Sequence, residues 1–189
     1  MENALIVSRH DSGTRFFTEQ LEAASIKRIM ILKSCNEARQ LLLERSFDLV
    51  IVNSPLSDET GEVLARNIAV KGTAQVILVV KAEFYDEMSA VCENDGVLTV
   101  SKPLNRGLFW SVLTLAKSAQ NRFKRIRDEN AKLKQKIDDI RIIDRAKWVL
   151  VSCMNMNEQE AHRYIEKQAM DSRSTKRAIA EGVLKNYER

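Results

Sequence analysis

The first 108 residues repeat one pattern five times: a short apolar run, then an amphipathic stretch with helical spacing. ALIV (4–7) precedes a predicted helix over 14–24, RIMIL (28–32) one over 36–44, and DLVIV (48–52) one over 60–69. QVILVV (75–80) is followed by a helix over 85–94, and GVLTV (96–100) by one starting near Arg106. Near-continuous apolar runs belong to strands covered on both faces, and strands separated by helices become parallel neighbours. The pattern predicts an α/β fold with a doubly wound, five-stranded parallel sheet.

Ligands and phosphoryl groups sit at the carboxyl ends of the strands in such sheets. Here those ends are Ser8-Arg9, Asn53, Val80-Lys81 and Ser101-Lys102-Pro103. Phosphoryl transfer needs a carboxylate nucleophile and a divalent cation held by oxygen ligands. Asn53 is a poor nucleophile, and Arg9 puts positive charge where a metal would sit. The side chain of Asn53 is expected instead to cap the Ser54-Pro55 turn.

Charge divides the chain. Residues 1–108 hold 12 Lys/Arg against 15 Asp/Glu, and residues 109–189 hold 18 against 11. An acidic front and a basic back suggest two modules, the second facing a polyanion. From Phe109 a heptad pattern sets in, with Phe109, Ala116, Phe123, Asn130 and Ile137 at a, and Val112, Ala119, Ile126, Leu133 and Ile140 at d. Sustained a/d seams with charged flanks form coiled coils, and one Asn at an a position favours a parallel dimer. Phe123, Ile126, Asn130, Leu133, Ile137 and Ile140 are therefore the expected dimerisation residues. The competing possibility is a monomeric helix packed back on the first domain.

Beyond Ile140 the apolar face broadens through Ile142, Ile143, Ala146, Val149 and Leu150, which predicts a helix to about Cys153. Asn157 and Glu160 form a capping box that opens a second helix, running to about Asp171. Ser174 or Thr175 caps a third, running to about Tyr187. The predicted layout is a sheet domain over 1–118, a coiled-coil linker over 109–141 and a small three-helix bundle over 142–189.

No apolar run is long enough to cross a bilayer, and the N-terminus lacks the pattern of a signal peptide. A cytoplasmic protein with no membrane partner is expected. Cys35, Cys92 and Cys153 match no metal or redox spacing, and no Gly-rich phosphate loop or catalytic constellation is present. No enzyme activity, metal or cofactor is expected.

The strand tips resemble those of bacterial response-regulator receiver domains, over residues 3–118. That likeness implies two acids at Ser8 and Arg9, a phosphorylated aspartate at Asn53 and a switch Ser/Thr at Val80. Of this pocket (Ser8, Arg9, Asn53, Val80, Lys102) only the Lys102-Pro103 pair keeps the pattern, which implies a degenerate, unphosphorylated pseudo-receiver.

AKWVLVSCMNMNEQEAHRYIEKQAMDSRSTKRAIAEGVL, beginning at Ala146, resembles the ANTAR domain, named for the AmiR and NasR antitermination regulators. The likeness rests on Ala146-Lys147, Asn157-x-x-Glu160-Ala161, Tyr164-Ile165, Gln168-Ala169-Met170, Ser172-Arg173 and Ile179-Ala180. It implies an RNA-binding module that grips paired stem-loops in nascent leader mRNA and keeps a terminator from forming. The residues suit that role. Lys147, Arg163, Lys167, Arg173, Lys176 and Arg177 offer charge to phosphates, and Gln168, Ser172 and Arg173 can read exposed loop bases. Tyr164 either stacks on a base or, as aromatics beside Ile165 more often do, joins the core. The order of modules looks most like the AmiR subgroup, and a sensor or sequestering protein is a possible regulatory partner. Two rival readings are a DNA-binding transcription factor, since three small helices with a basic third one mimic a helix-turn-helix, and a coiled-coil adaptor controlled by a sensor.

Overall fold

A computed structural model of the chain describes residues 1–72 and 74–187. The last two positions of the bundle expected over 142–189 lie outside the described residues. The chain forms two compact units, Met1–Lys124 and a second beginning at Arg125.

The first unit is a parallel sheet in the order β2-β1-β3-β4-β5. Its strands are β1 (Asn3–Ser8), β2 (Arg28–Leu32), β3 (Leu49–Asn53), β4 (Gln75–Lys81) and β5 (Leu98–Lys102). Between them run α1 (Asp11–Ala23), α2 (Cys35–Glu44), α3 (Glu62–Val70) and α4 (Tyr85–Cys92), and α5 (Arg106–Met154) follows β5. Alternation along the strands builds two cores. Leu5, Val7, Val50, Val52, Val76, Leu78 and Val80 pack with Ala38, Leu64, Ala65, Ile68 and Cys92 on one face. Ala4, Ile6, Leu49, Ile51, Ile77, Val79 and Val100 pack with Phe17, Leu21, Phe109, Leu113 and Ala116 on the other.

That second core corrects the heptad reading at its start. Phe109 and Ala116 are fully buried and Val112 packs beside them, so these seam positions cover the sheet instead of facing a second helix. Phe109 meets Phe16 and Phe17 at ring-centroid distances of 5.7 and 5.5 Å. The Trp110 indole N–H donates to Gln20 at 3.1 Å, and the Lys117 ammonium donates to the Ala24 carbonyl at 3.0 Å. The physical reason is that α5 supplies part of the helical layer on this sheet face, so its first turns must complete the core. Farther along, Phe123, Ile126, Leu133, Ile137 and Ile140 are 42–61% exposed.

The helix expected to start at Ile142 is not separate. α5 continues unbroken through that point to Met154, and its last turns serve as the first helix of the bundle. α6 (Glu158–Asp171) and α7 (Lys176–Tyr187) complete it. The capping box forms as expected: Asn157 Oδ1 accepts from the Glu160 N–H at 2.9 Å, and the Glu160 carboxylate accepts from the Asn157 N–H at 2.8 Å. Of the two candidate caps for α7, Thr175 serves, accepting from the Ala178 N–H at 3.2 Å. Ala146, Leu150, Ala161, Ile165, Ala180 and Val183 make the core, and its alanines allow the helices to approach closely.

Candidate nucleic-acid interface

The strand tips of the first unit come together only in part. Ser8 and Asn53 are register partners across β1 and β3. Asn53 does not cap the following turn: its Nδ2 donates to Ser8 Oγ at 3.0 Å, and Ser8 Oγ donates to the His10 carbonyl at 3.2 Å. Gly13 on α1 closes over the pair so tightly that a Cβ there would lie 2.5 Å from Asn53 Nδ2. The pocket position of Asn53 is thus 6% exposed. Lys102 donates to the Ser54 carbonyl at 2.6 Å, and burial together with nearby Lys81 holds its ammonium below the ordinary lysine range. Arg9 is exposed.

Val80 requires a correction. Its side chain lies in the core on the opposite sheet face, 2% exposed. Ser8, Asn53, Lys81 and Lys102 share the other parity, and Lys81 is the register partner of Lys102. The strand period of two puts Lys81, one residue farther on, at the tip beside the pocket. A second cluster, Cys35 with Asp58 and Glu59, has metal-like composition. Its groups are already engaged. Asp58 accepts from the Cys35 and Asn36 N–H groups at the start of α2, Glu59 pairs with Arg39, and burial pushes the Cys35 thiol up to about 12.

The basic residues of the second unit sort into two kinds. Ala161, Ile165 and Ala169 bury one face of α6, leaving Arg163 and Lys167 on the opposite face one turn apart. Arg163, Lys167 and Arg173 are exposed and form no ion pair among the described residues. Gln168 is exposed as well, and the Ser172 hydroxyl donates to the Gln168 carbonyl at 2.6 Å. Arg173 sits in the turn after α6 with φ +52°, in the left-handed region.

The other three are tied down. Lys147 contacts Asp144 at 2.8 Å and Glu158 at 3.4 Å, its side chain 17% exposed, and Asp144 holds its ammonium above the ordinary range. Lys176 pairs with Glu166, which also lies 3.3 Å from His162. Arg177 bridges α7 to α5 through Asp139 at 2.7 Å and holds Glu181 at 2.8 Å. Asp144 and Glu181 lie one turn away on the same helices and are visible in the local spacing, but Asp139, Glu158 and Glu166 come from other helices and are not. Tyr164 is half-buried against the bundle core.

Lys147 still shares a cleft with one of the free cations, Arg163. A cleft of about 310 Å³ is lined by Lys147, Glu158, Gln159, His162 and Arg163. A second, of about 400 Å³, is lined by Asp144, Lys147, Trp148, Val151 and Glu158. Trp148, absent from the residues singled out by sequence, is 72% exposed. The arrangement offers a polyanion two free cations on one helix face, a third in the following turn and a partly shielded lysine between α5 and α6.

Comparison with known proteins gives matches of different reach. The family model of the ANTAR domain matches residues 131–184. The aliphatic amidase regulator of Pseudomonas aeruginosa is 30% identical over 153 residues, covering 75% of this chain and 74% of that protein. The transcriptional regulatory protein PdtaR of Mycobacterium tuberculosis is 26% identical over 148 residues, covering 78% and 72%. Among solved structures, a signal receiver domain from Pseudomonas fluorescens superposes with a TM-score of 0.57 at 21% identity, covering 65% of this chain and 91% of that one. A two-component response regulator from Clostridium difficile gives 0.55 at 22%, covering 64% and 99%. These structures share the receiver fold.

Proposed function

This chain belongs to the family of ANTAR-domain transcription regulators with a receiver-like domain, and we propose that it is an RNA-binding antiterminator that works as a dimer and without aspartyl phosphorylation. The observation that carries the reading is the coincidence of the ANTAR match with a helical bundle in which Arg163, Lys167 and Arg173 are exposed and form no ion pair among the described residues. Cations held on one helix face can each take a phosphate, and release of counterions then drives binding. Unpaired loop bases of paired stem-loops in a nascent leader transcript supply the readable edges.

Dimerisation is supported by the exposed seam of Ile126, Leu133, Ile137 and Ile140 with Asn130 among them. Two linked modules on two stem-loops gain affinity through effective concentration. The loss of phosphorylation is supported by Asn53 at the nucleophile position, covered by Gly13 and hydrogen-bonded to Ser8. Control then falls to a sensor or sequestering protein.

The test is competition at matched salt between a two-hairpin RNA and duplex DNA of equal length, with sedimentation of the free protein. Preference for the RNA by a dimer is the expected result. Preference for duplex DNA, or a monomer that still holds tandem hairpins tightly, overturns the proposal.

A further inference from the structure

Trp148 is the most exposed aromatic side chain among the described residues. It sits on the last part of α5, where Asp144, Lys147, Trp148 and Val151 recur at helical spacing along one face. Glu158, the first residue of α6, stands opposite them across the cleft of about 400 Å³. That volume falls at the lower end of clefts that take small planar ligands, about 300–1,000 Å³. We propose that Trp148 is the stacking platform for an unpaired RNA loop base, with Glu158 accepting a hydrogen bond from that base's amino edge. The proposal rests on the RNA-binding reading above and names the part of the site that reads the loop.

Three features select a nucleobase over other occupants. An indole face open to solvent offers a stacking surface that every base can use, and single-strand binders combine such faces with cations tracking the backbone. The cations are in place: Lys147 lines both clefts, and Arg163 lines the adjoining one. The carboxylates disfavour an apolar helix or a lipid tail as occupant, whereas exocyclic amines of bases donate to Glu and Asp. Glu158 is free to turn toward a base, because its side chain is 82% exposed and its contact with Lys147 is 3.4 Å.

The full-length protein carrying Trp110→Phe leaves Trp148 as the sole indole. Its fluorescence is followed while a pool of two-hairpin RNAs with randomised loops is added, and then a pool with the same stems and abasic loops. The randomised pool should quench Trp148 and the abasic pool should not. Trp148→Ala should weaken binding of the randomised pool about ten-fold or more, and Trp148→Tyr should restore most of it. Both variants should keep the wild-type melting temperature, since the side chain is exposed. Glu158→Ala should keep the quench but flatten the base preference of the bound pool, and an unchanged preference removes Glu158 from the site. Wild-type affinity in Trp148→Ala, while Arg163→Glu and Lys167→Glu lose binding, overturns the stacking site and leaves the RNA reading standing. Equal quenching by abasic loops also overturns it. No binding of either pool by the wild type at low salt overturns both readings, and capture of a protein through Trp148 under those conditions assigns the surface to that partner.

Discussion

Arg177 on α7 reaches Asp139 on α5, with 2.7 Å between guanidinium and carboxylate. The pairing spans 38 residues of sequence and joins the two ends of the bundle, so Arg177 acts as a strut more than as a free cation. Arg177→Ala should lower the thermal stability of the second unit and leave the RNA affinity of the folded protein nearly unchanged. Arg163→Glu and Lys167→Glu should do the reverse. Removing one phosphate-binding cation should reduce the slope of log affinity against log salt by about 0.7 for single-stranded RNA. Equal slopes in wild type and Lys167→Glu would remove Lys167 from the interface.

The same strut makes a prediction about acid. The hydrogen bond from Arg177, then that from Gln135, holds the Asp139 carboxyl below its ordinary value, and Lys176 does the same for Glu166. A carboxyl whose folded value lies below its unfolded one stabilises the fold above the unfolded value, near about 4, and loses that contribution as pH falls through the folded value. Melting temperature of the second unit should therefore be flat above about pH 5 and decline below it. Arg177→Ala should flatten part of that decline, as followed by thermal circular dichroism across pH.

The sheet was legible in the sequence because its strands are short apolar runs separated by stretches of helical spacing. Strand ends were not. Val80 and Lys81 are adjacent in sequence but point to opposite faces, and only the pairing of Lys81 with Lys102 fixes which one reaches the tip. The heptad period was real but ambiguous. Phe109 and Ala116 satisfy it while packing on the sheet, because a helix covering a sheet and a helix covering another helix bury the same spacing. In the bundle the apolar faces and the Asn157–Glu160 cap were readable from local spacing. Lys147, Lys176 and Arg177 each take a carboxylate from another helix, which local spacing does not show, and Trp148 falls outside the apolar face of Ala146, Val149 and Leu150.

Those two uses of α5 separate under mutation. Phe109→Ala removes a buried ring from the first unit and should destabilise it by about 3–5 kcal/mol without changing subunit association. Leu133→Asp with Ile137→Asp places charge on the exposed seam. It should convert a dimer to a monomer in sedimentation, leave the first unit's melting temperature intact, and weaken tandem-hairpin binding by about 10²–10⁴. A dimer that survives both seam substitutions would place its interface elsewhere.

The covered pair of Asn53 and Ser8 predicts chemical silence. Incubation of the wild type with a small acyl phosphate and magnesium should produce no phosphoryl mass gain. Asn53→Asp should not restore it, because Ser8 and Arg9 stand where metal-binding acids would be needed. The variant should instead lose about 1–3 kcal/mol, since the Nδ2 donor to Ser8 is replaced by a second acceptor in a buried site. A mass gain at Asn53→Asp would show that the pocket still admits the metal and donor.

Arg173 gives the sharpest contrast between stability and binding. Its backbone is left-handed at φ +52° in the turn that ends α6, where the Ser174 N–H donates to the Ala169 carbonyl at 2.9 Å. Helices close this way most readily with glycine, and other L-residues there cost about 1–2 kcal/mol. A large cation kept at a position that favours glycine is the pattern of strain retained at a working site. Arg173→Gly should therefore stabilise the second unit by about 1 kcal/mol while weakening RNA binding. Arg173→Ala keeps the strain and removes the guanidinium, so it should weaken binding equally without the gain in stability. Melting and RNA titration of the two variants side by side separate backbone from side chain. Undiminished affinity in Arg173→Gly would make Arg173 a bystander in the turn.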